Sequence, residues 1–71
     1  MTKPQMRWKR IRQSGSTVCE LLYPNGLVFA VVRPHGAGWI GEETWAEIET
    51  RAETFRTMRE AVAAVSAWQR G

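Results

Sequence analysis

The sequence predicts an α+β fold in which an antiparallel sheet of three or four strands packs against one C-terminal amphipathic helix, a βββα-like plan. Two observations support this. The apolar runs TVCELLY and LVFAVVR flank a Pro-Asn-Gly turn signal, and the closing stretch repeats apolar residues at helical spacing. At 71 residues the chain has room for one domain, 1–71. Most of its four tryptophans are therefore expected to serve the core.

The first element is predicted over residues 6–12, MRWKRIR, as an edge strand. Alternation puts Trp8, Arg10 and Arg12 on one side of the strand and the intervening residues on the other. Charges on an edge strand discourage further strand pairing, and the same charges are suited to phosphate. The QSGS that follows is turn material.

The next two strands are predicted to form a hairpin around Pro24, Asn25 and Gly26. A type I turn with Pro24 first and Gly26 in the left-handed conformation suits these residues better than a two-residue turn, in which proline would delete a ladder hydrogen bond. Tyr23 then pairs with Leu27.

Counting outward from that pair assigns each strand residue to a face of the sheet. The bulky face, expected to be the core, carries Cys19, Leu21, Tyr23, Leu27, Phe29 and Val31. The opposite face carries Val18, Glu20, Leu22, Val28, Ala30 and Val32. Because a solvated sheet face should be polar and this one has a single charge, the second set is the candidate protein-binding site.

Residues 33–38, RPHGAG, are predicted to be a loop, and His35 within it an ordinary loop residue. The stretch 39–53 is ambiguous. A strand is favoured for part of it, whereas Thr44 and Glu47 are spaced as a helix capping box.

The final element is predicted to be a helix that begins after Thr57, with Glu60 completing a capping box. Its apolar stripe is expected to lie across the bulky sheet face. The stripe consists of Met58, Ala61, Val62, Val65 and Trp68.

Composition narrows the classes of function. The single cysteine, Cys19, predicts a buried thiol and a reducing compartment, and no apolar run reaches the roughly 18 residues that span a membrane. A cytoplasmic protein without membrane contact is expected. The chain has no aspartate and one histidine. Because catalytic pairs and zinc sites need more such groups, the sequence predicts no enzyme activity, no metal, no cofactor and no small-molecule substrate.

The closing segment FRTMREAVAAVSAW, with Phe55, Thr57, Glu60 and Ala61, resembles the arm-type (AP2-like) N-terminal DNA-binding domain of tyrosine-family phage integrases. It also resembles short phage and prophage orphan proteins with a strand-strand-strand-helix plan. In the integrase domain the resemblance implies a basic sheet face in a DNA groove, whereas the corresponding face here is apolar.

Two binding hypotheses follow. The first is recognition of a protein, either a second copy or a foreign target; by analogy with phage inhibitors, that target would be a host defence complex such as a CRISPR effector. The alternative is DNA binding through the N-terminal strand, with Trp8 as a stacking platform among basic residues. Those basic residues are Arg7, Lys9, Arg10 and Arg12. The apolar face places protein recognition first.

Overall fold

The computed structural model describes residues 5–44 and 51–68. Five strands form one antiparallel sheet in the order β1-β2-β3-β4-β5, and a single helix follows them. The strands are β1 Arg7–Gln13, β2 Ser16–Leu22, β3 Val28–His35, β4 Gly38–Glu43 and β5 Ala52–Phe55, and the helix is α1 Met58–Trp68. The predicted α+β class is confirmed, with one or two strands more than expected. No helix in the described part of the chain has the length and apolar character needed to cross a membrane.

The β1 and β2 strands form the first hairpin, and β1 lies at the edge of the sheet as predicted. Trp8 pairs with Leu21 and Arg10 pairs with Cys19, so these four residues share one face. We call this the helix face, because α1 packs on it; the opposite face is the outer face. Arg7 and Lys9 point to the outer face.

The turn between β2 and β3 has the predicted geometry. Gly26 N–H donates to Tyr23 O at 2.9 Å, Tyr23 N–H donates to Leu27 O at 2.8 Å, and Gly26 has a φ of 92°. Only glycine adopts such a φ without strain, so the Pro-Asn-Gly sequence fixes this turn.

The predicted faces hold through Phe29, which lies in the core, and are wrong from Ala30 onward, because the ladder shifts at Phe29. Leu22 pairs with Val28, but Leu21 pairs with Ala30, so Phe29 is the inserted residue of a β-bulge. A one-residue shift moves every later side chain to the other face. Ala30 and Val32, predicted on the outer face, therefore lie in the core, both with no exposed surface. Val31, predicted on the core face, lies on the outer face instead. Leu27, also predicted on the core face, is 64% exposed.

The segment predicted as a loop at residues 33–38 is instead mostly strand, since β3 continues to His35 and β4 begins at Gly38. Pro34 is tolerated because the β2–β3 pairing extends only to Val32, so Pro34 lies where β3 pairs with β4 alone. The favoured strand in 39–53 is confirmed for Gly38–Glu43 and for Ala52–Phe55. Residues 45–50, and with them most of the helical alternative, lie outside the described residues.

The helix begins as predicted. Thr57 Oγ1 accepts a hydrogen bond from Glu60 N–H at 3.1 Å, and the Thr57 hydroxyl donates to Glu60 Oε1 at 3.2 Å. Its apolar stripe packs on β3, β4 and β5. The close approach depends on Gly41 of β4, because a methyl carbon placed there would lie 2.5 Å from Val65 Cγ2.

Candidate nucleic-acid interface

Four cations lie along the edge strand β1, and all are exposed. Arg7 and Lys9 project from the outer face, whereas Arg10 and Arg12 project from the helix face. We call these four residues the basic edge. Because successive side chains of a strand point to opposite faces, the basic edge places positive charge on both faces of the sheet at this edge.

Within residues 5–44 and 51–68, no carboxylate forms an ion pair with any residue of the basic edge. The ion pairs are elsewhere. Arg33 Nε donates to Glu42 Oε1 at 2.9 Å on the outer face, and Arg51 lies 3.8 Å from Glu53 Oε2 beside β5. In the part of the chain that the structure describes, the basic edge therefore has no ion-pair partner, whereas Arg33 and Arg51 each have one.

A groove of about 460 Å³ separates the helix face of β1 from α1. It exists because α1 lies over β3, β4 and β5, which leaves the helix-face side chains of β1 half-buried or exposed, whereas Cys19 and Leu21 of β2 are buried. Its lining comes from β1, β2 and α1: Trp8, Lys9, Arg10, Cys19, Met58, Arg59 and Val62. The groove combines apolar and cationic groups, and no acidic side chain lines it.

The Trp8 side chain is fixed at the groove by one hydrogen bond. Its indole Nε1–H donates to Ser66 Oγ of α1 at 2.9 Å, which joins the first strand to the helix across 58 positions of sequence. The Cys19 thiol lies 3.7 Å from Met58 Sδ and is buried as expected. Because the Trp8 N–H is already hydrogen-bonded, it is not free to donate to a ligand. Contact with a ligand would therefore be made through the indole ring.

The helix adds one further cation, Arg59, which is exposed at the groove. It has no ion-pair partner among the described residues. Protection of an edge strand requires charge only on the strand itself. Edge protection therefore does not account for Arg59, a cation on α1 that lines the same groove as Arg10.

The predicted protein-binding set does not form one surface. Val18 and Leu22 lie on the outer face but are only 7% and 6% exposed, and Glu20 lies between Lys9 and Val31. Val28 is half-buried beside the turn. With Ala30 and Val32 in the core, the outer face is less apolar than expected. Leu27, in the turn, is the one strongly exposed large apolar side chain of the described residues.

The groups considered for catalysis are separated. Cys19 lies on the helix face, whereas His35, three residues beyond the partner of Cys19, falls on the outer face at the exposed end of β3. Glu42 and Glu43 diverge to opposite faces: Glu42 bonds Arg33, and Glu43 Oε1 accepts from Arg51 N–H at 3.0 Å. The described residues contain no group of three metal-binding side chains.

The sequence did not predict the groove residues Met58, Arg59 and Val62 as site residues. Periodicity assigns Met58 and Val62 to the apolar stripe and Arg59 to the solvent side. Which part of the stripe faces a cavity depends on where the helix lies on the sheet. The one available signal was Gly41 in an otherwise bulky strand, which indicates a close backbone approach.

Comparison with protein-family models, with curated proteins and with solved structures finds no match to the chain. The functional argument therefore depends on the geometry and charge of the residues themselves, and the resemblance to integrase arm domains stays a prediction.

Proposed function

We propose that the chain is a non-catalytic binding module that holds nucleic acid through the basic edge and Arg59. The observation that supports this is a set of exposed cations on β1 and α1, the two elements beside the groove, that form no ion pair with any carboxylate in residues 5–44 and 51–68. A phosphate backbone is the repeating anion that such a row of cations suits, and each phosphate contact releases a bound counterion. An aromatic side chain among the cations is a further feature of nucleic-acid interfaces.

This ranking reverses the sequence-based order, which favoured a protein partner because of an apolar outer face. Two of the six residues of that face belong to the core, and two more are nearly buried. The remaining apolar surface is smaller than predicted. The four cations of β1 are exposed and form no ion pair with a described carboxylate, although Arg12 Nη2 donates to Gly15 O at 3.5 Å.

The test compares two double variants that lower the net charge equally. Arg10→Gln/Arg12→Gln removes two cations of the basic edge, and the control, Arg33→Gln/Arg51→Gln, removes two cations that already have carboxylate partners. Affinity for a fluorescein-labelled oligonucleotide is measured by anisotropy over a range of salt concentrations. Loss of two phosphate contacts lowers the slope of log K against log salt by about 1.4 for a single strand.

We expect the slope to fall in the Arg10/Arg12 variant and to stay near the parent value in the control. Equal weakening in both variants would mean that only net charge matters, and the basic edge would not be a site. Binding that does not depend on salt would exclude phosphate contacts. Circular dichroism on each variant verifies that the fold is intact.

A protein partner, which includes a second copy of the chain or a host defence complex, is the second candidate. It is favoured by Val28 and Val31, which lie half-buried on the outer face, where no described helix or strand packs over them. Val28→Glu and Val31→Glu should abolish dimerisation seen by size-exclusion chromatography with light scattering, while the monomer stays folded. If the parent protein is a monomer, self-association is excluded. Leu22 is too buried to serve as a clean probe.

A further inference from the structure

We infer that the groove between β1 and α1 receives an unstacked nucleobase, so that the ligand of this module is single-stranded nucleic acid. This inference rests on the proposed function and specifies its substrate class. It follows from three properties of the groove: its lining is aromatic, apolar and sulfur-containing, its cations lie on both sides, and the Trp8 N–H is already hydrogen-bonded to Ser66.

The groove walls suit a flat aromatic ring. The lining includes the indole of Trp8 from β1, the thiol of Cys19 from β2, and the side chains of Met58 and Val62 from α1. A ring that contacts both an indole and a thioether gains stacking and sulfur–aromatic contacts. Because bases in a duplex are already stacked and paired, a duplex offers such a ring only after the cost of flipping a base out, whereas that cost is smallest for a single strand.

The cations lie where the backbone of that nucleotide would pass. Arg10 comes from the strand side of the groove and Arg59 from the helix side, and both are exposed. Phosphates on the two sides of an inserted base can each meet one guanidinium group, which binds phosphate with two parallel hydrogen bonds. A duplex lying along the outside of β1 would meet Arg7 and Lys9 but would leave Arg59 unused.

The groove does not distinguish one base from another. The Trp8 N–H is bonded to Ser66 Oγ. Cys19, Met58 and Val62 are apolar or sulfur-containing, and the remaining lining groups are the cations assigned to phosphate. Since base identity is read through hydrogen bonds to base edges, and stacking tolerates any base, we expect little sequence preference.

The experiment measures the affinity of the intact chain for oligodeoxythymidylate and for a duplex of equal length, with polyglutamate as a competitor. Trp8→Leu removes the ring, Trp8→Phe keeps a ring without the N–H, and Ser66→Ala removes only the hydrogen-bond acceptor. Val62→Phe fills the groove without changing a cation, so it tests the site even if Trp8→Leu does not fold.

The parent should bind the single strand at least tenfold more tightly than the duplex. Trp8→Leu and Val62→Phe should lose about tenfold or more of the single-strand affinity, which is the usual effect of losing one stacked base. Their duplex affinity should not change. Trp8→Phe and Ser66→Ala should stay within about threefold of the parent. Ligand-induced quenching of tryptophan emission should be largely lost in Trp8→Phe, which lacks the indole, and retained in Ser66→Ala.

The result that overturns this inference differs from the one that overturns the proposed function. Equal single-strand and duplex affinity, with Arg10→Gln/Arg12→Gln weakening both and Val62→Phe weakening neither, would retain the phosphate site and exclude base insertion. Failure of either nucleic acid to bind would reject both proposals. If polyglutamate displaced the oligonucleotide at equal charge concentration, the groove would be an acidic-peptide site, and the nucleobase assignment would be wrong.

Discussion

The contact between α1 and the sheet at Gly41 allows a test of the packing that creates the groove. Gly41→Ala adds one methyl group to β4, directly beneath the helix. That carbon would lie 2.5 Å from Val65 Cγ2, 3.5 Å from a Phe55 ring carbon and 3.7 Å from a Trp68 ring carbon. The contact with Val65 is too close to persist, and Val65 is fully buried, so the helix must move.

Two opposing terms set the magnitude. Replacing glycine by alanine where the backbone conformation is ordinary stabilises a protein by about 0.4 to 1 kcal/mol, through the unfolded chain. Forcing a methyl group into a packed core costs about 1 to 3 kcal/mol. The second term is the larger, and we expect a net loss of about 1 to 2 kcal/mol. For a domain of this size that lowers Tm by about 4 to 16 °C.

The assay is thermal and urea unfolding of a double-mutant cycle with Val65→Ala, which removes the methyl group that the new carbon would meet. Gly41→Ala should cost less in the Val65→Ala background, with a favourable coupling of about 0.5 to 3 kcal/mol. An equal cost in both backgrounds would refute the steric explanation. Stabilisation by Gly41→Ala alone would show that the helix does not approach β4 at this position.

Two further outcomes are expected, both read by urea unfolding. Thr57→Ala removes the side-chain acceptor of the Glu60 N–H and should cost about 1 kcal/mol, while Thr57→Ser, which keeps the hydroxyl, should be near neutral; equal losses in both would mean that the cap is not formed. Gly26→Ala places a side chain at a φ of 92° in open space and should cost about 1 to 2 kcal/mol from backbone strain alone. A neutral Gly26→Ala would indicate that the turn has another conformation.

Local features of the sequence predicted the hairpin turn and the helix well. The Pro-Asn-Gly sequence has one favourable conformation, and the Thr57 side chain satisfies one of the free N–H groups of the first helical turn, that of Glu60. Both depend on residues within a few positions of one another. For the same reason the β1 alternation and the edge position were predictable.

The faces of β3 were not predictable beyond Phe29. Phe29, Ala30, Val31 and Val32 are all apolar, so each register places apolar side chains on both faces, and the pattern does not select one. The bulge at Phe29 decides between them, since it lets Phe29 and Ala30 both join the core. A polar residue at one of these positions would have shown which face is exposed to solvent, because polar side chains favour the solvated face of a sheet.

The groove could not be predicted because it depends on the lateral position of α1. The apolar stripe of the helix could pack on the sheet at several lateral positions. Because Gly41 has no side-chain carbon, α1 can pack over β4, and this position leaves the gap beside β1. The basic edge, in contrast, was visible in the sequence as a charge cluster, and only its lack of ion-pair partners needed the structure.

The strand order has a consequence for how the site comes into being. Because each strand pairs with its neighbour along the chain, the sheet can form by successive short hairpins, a topology that favours fast folding. The groove is different, since Trp8 and Ser66 come from opposite ends of the domain and meet only when the helix has docked. Ligand affinity should therefore appear as the last event in refolding, and a shortened chain that lacks either β1 or α1 should retain none of it.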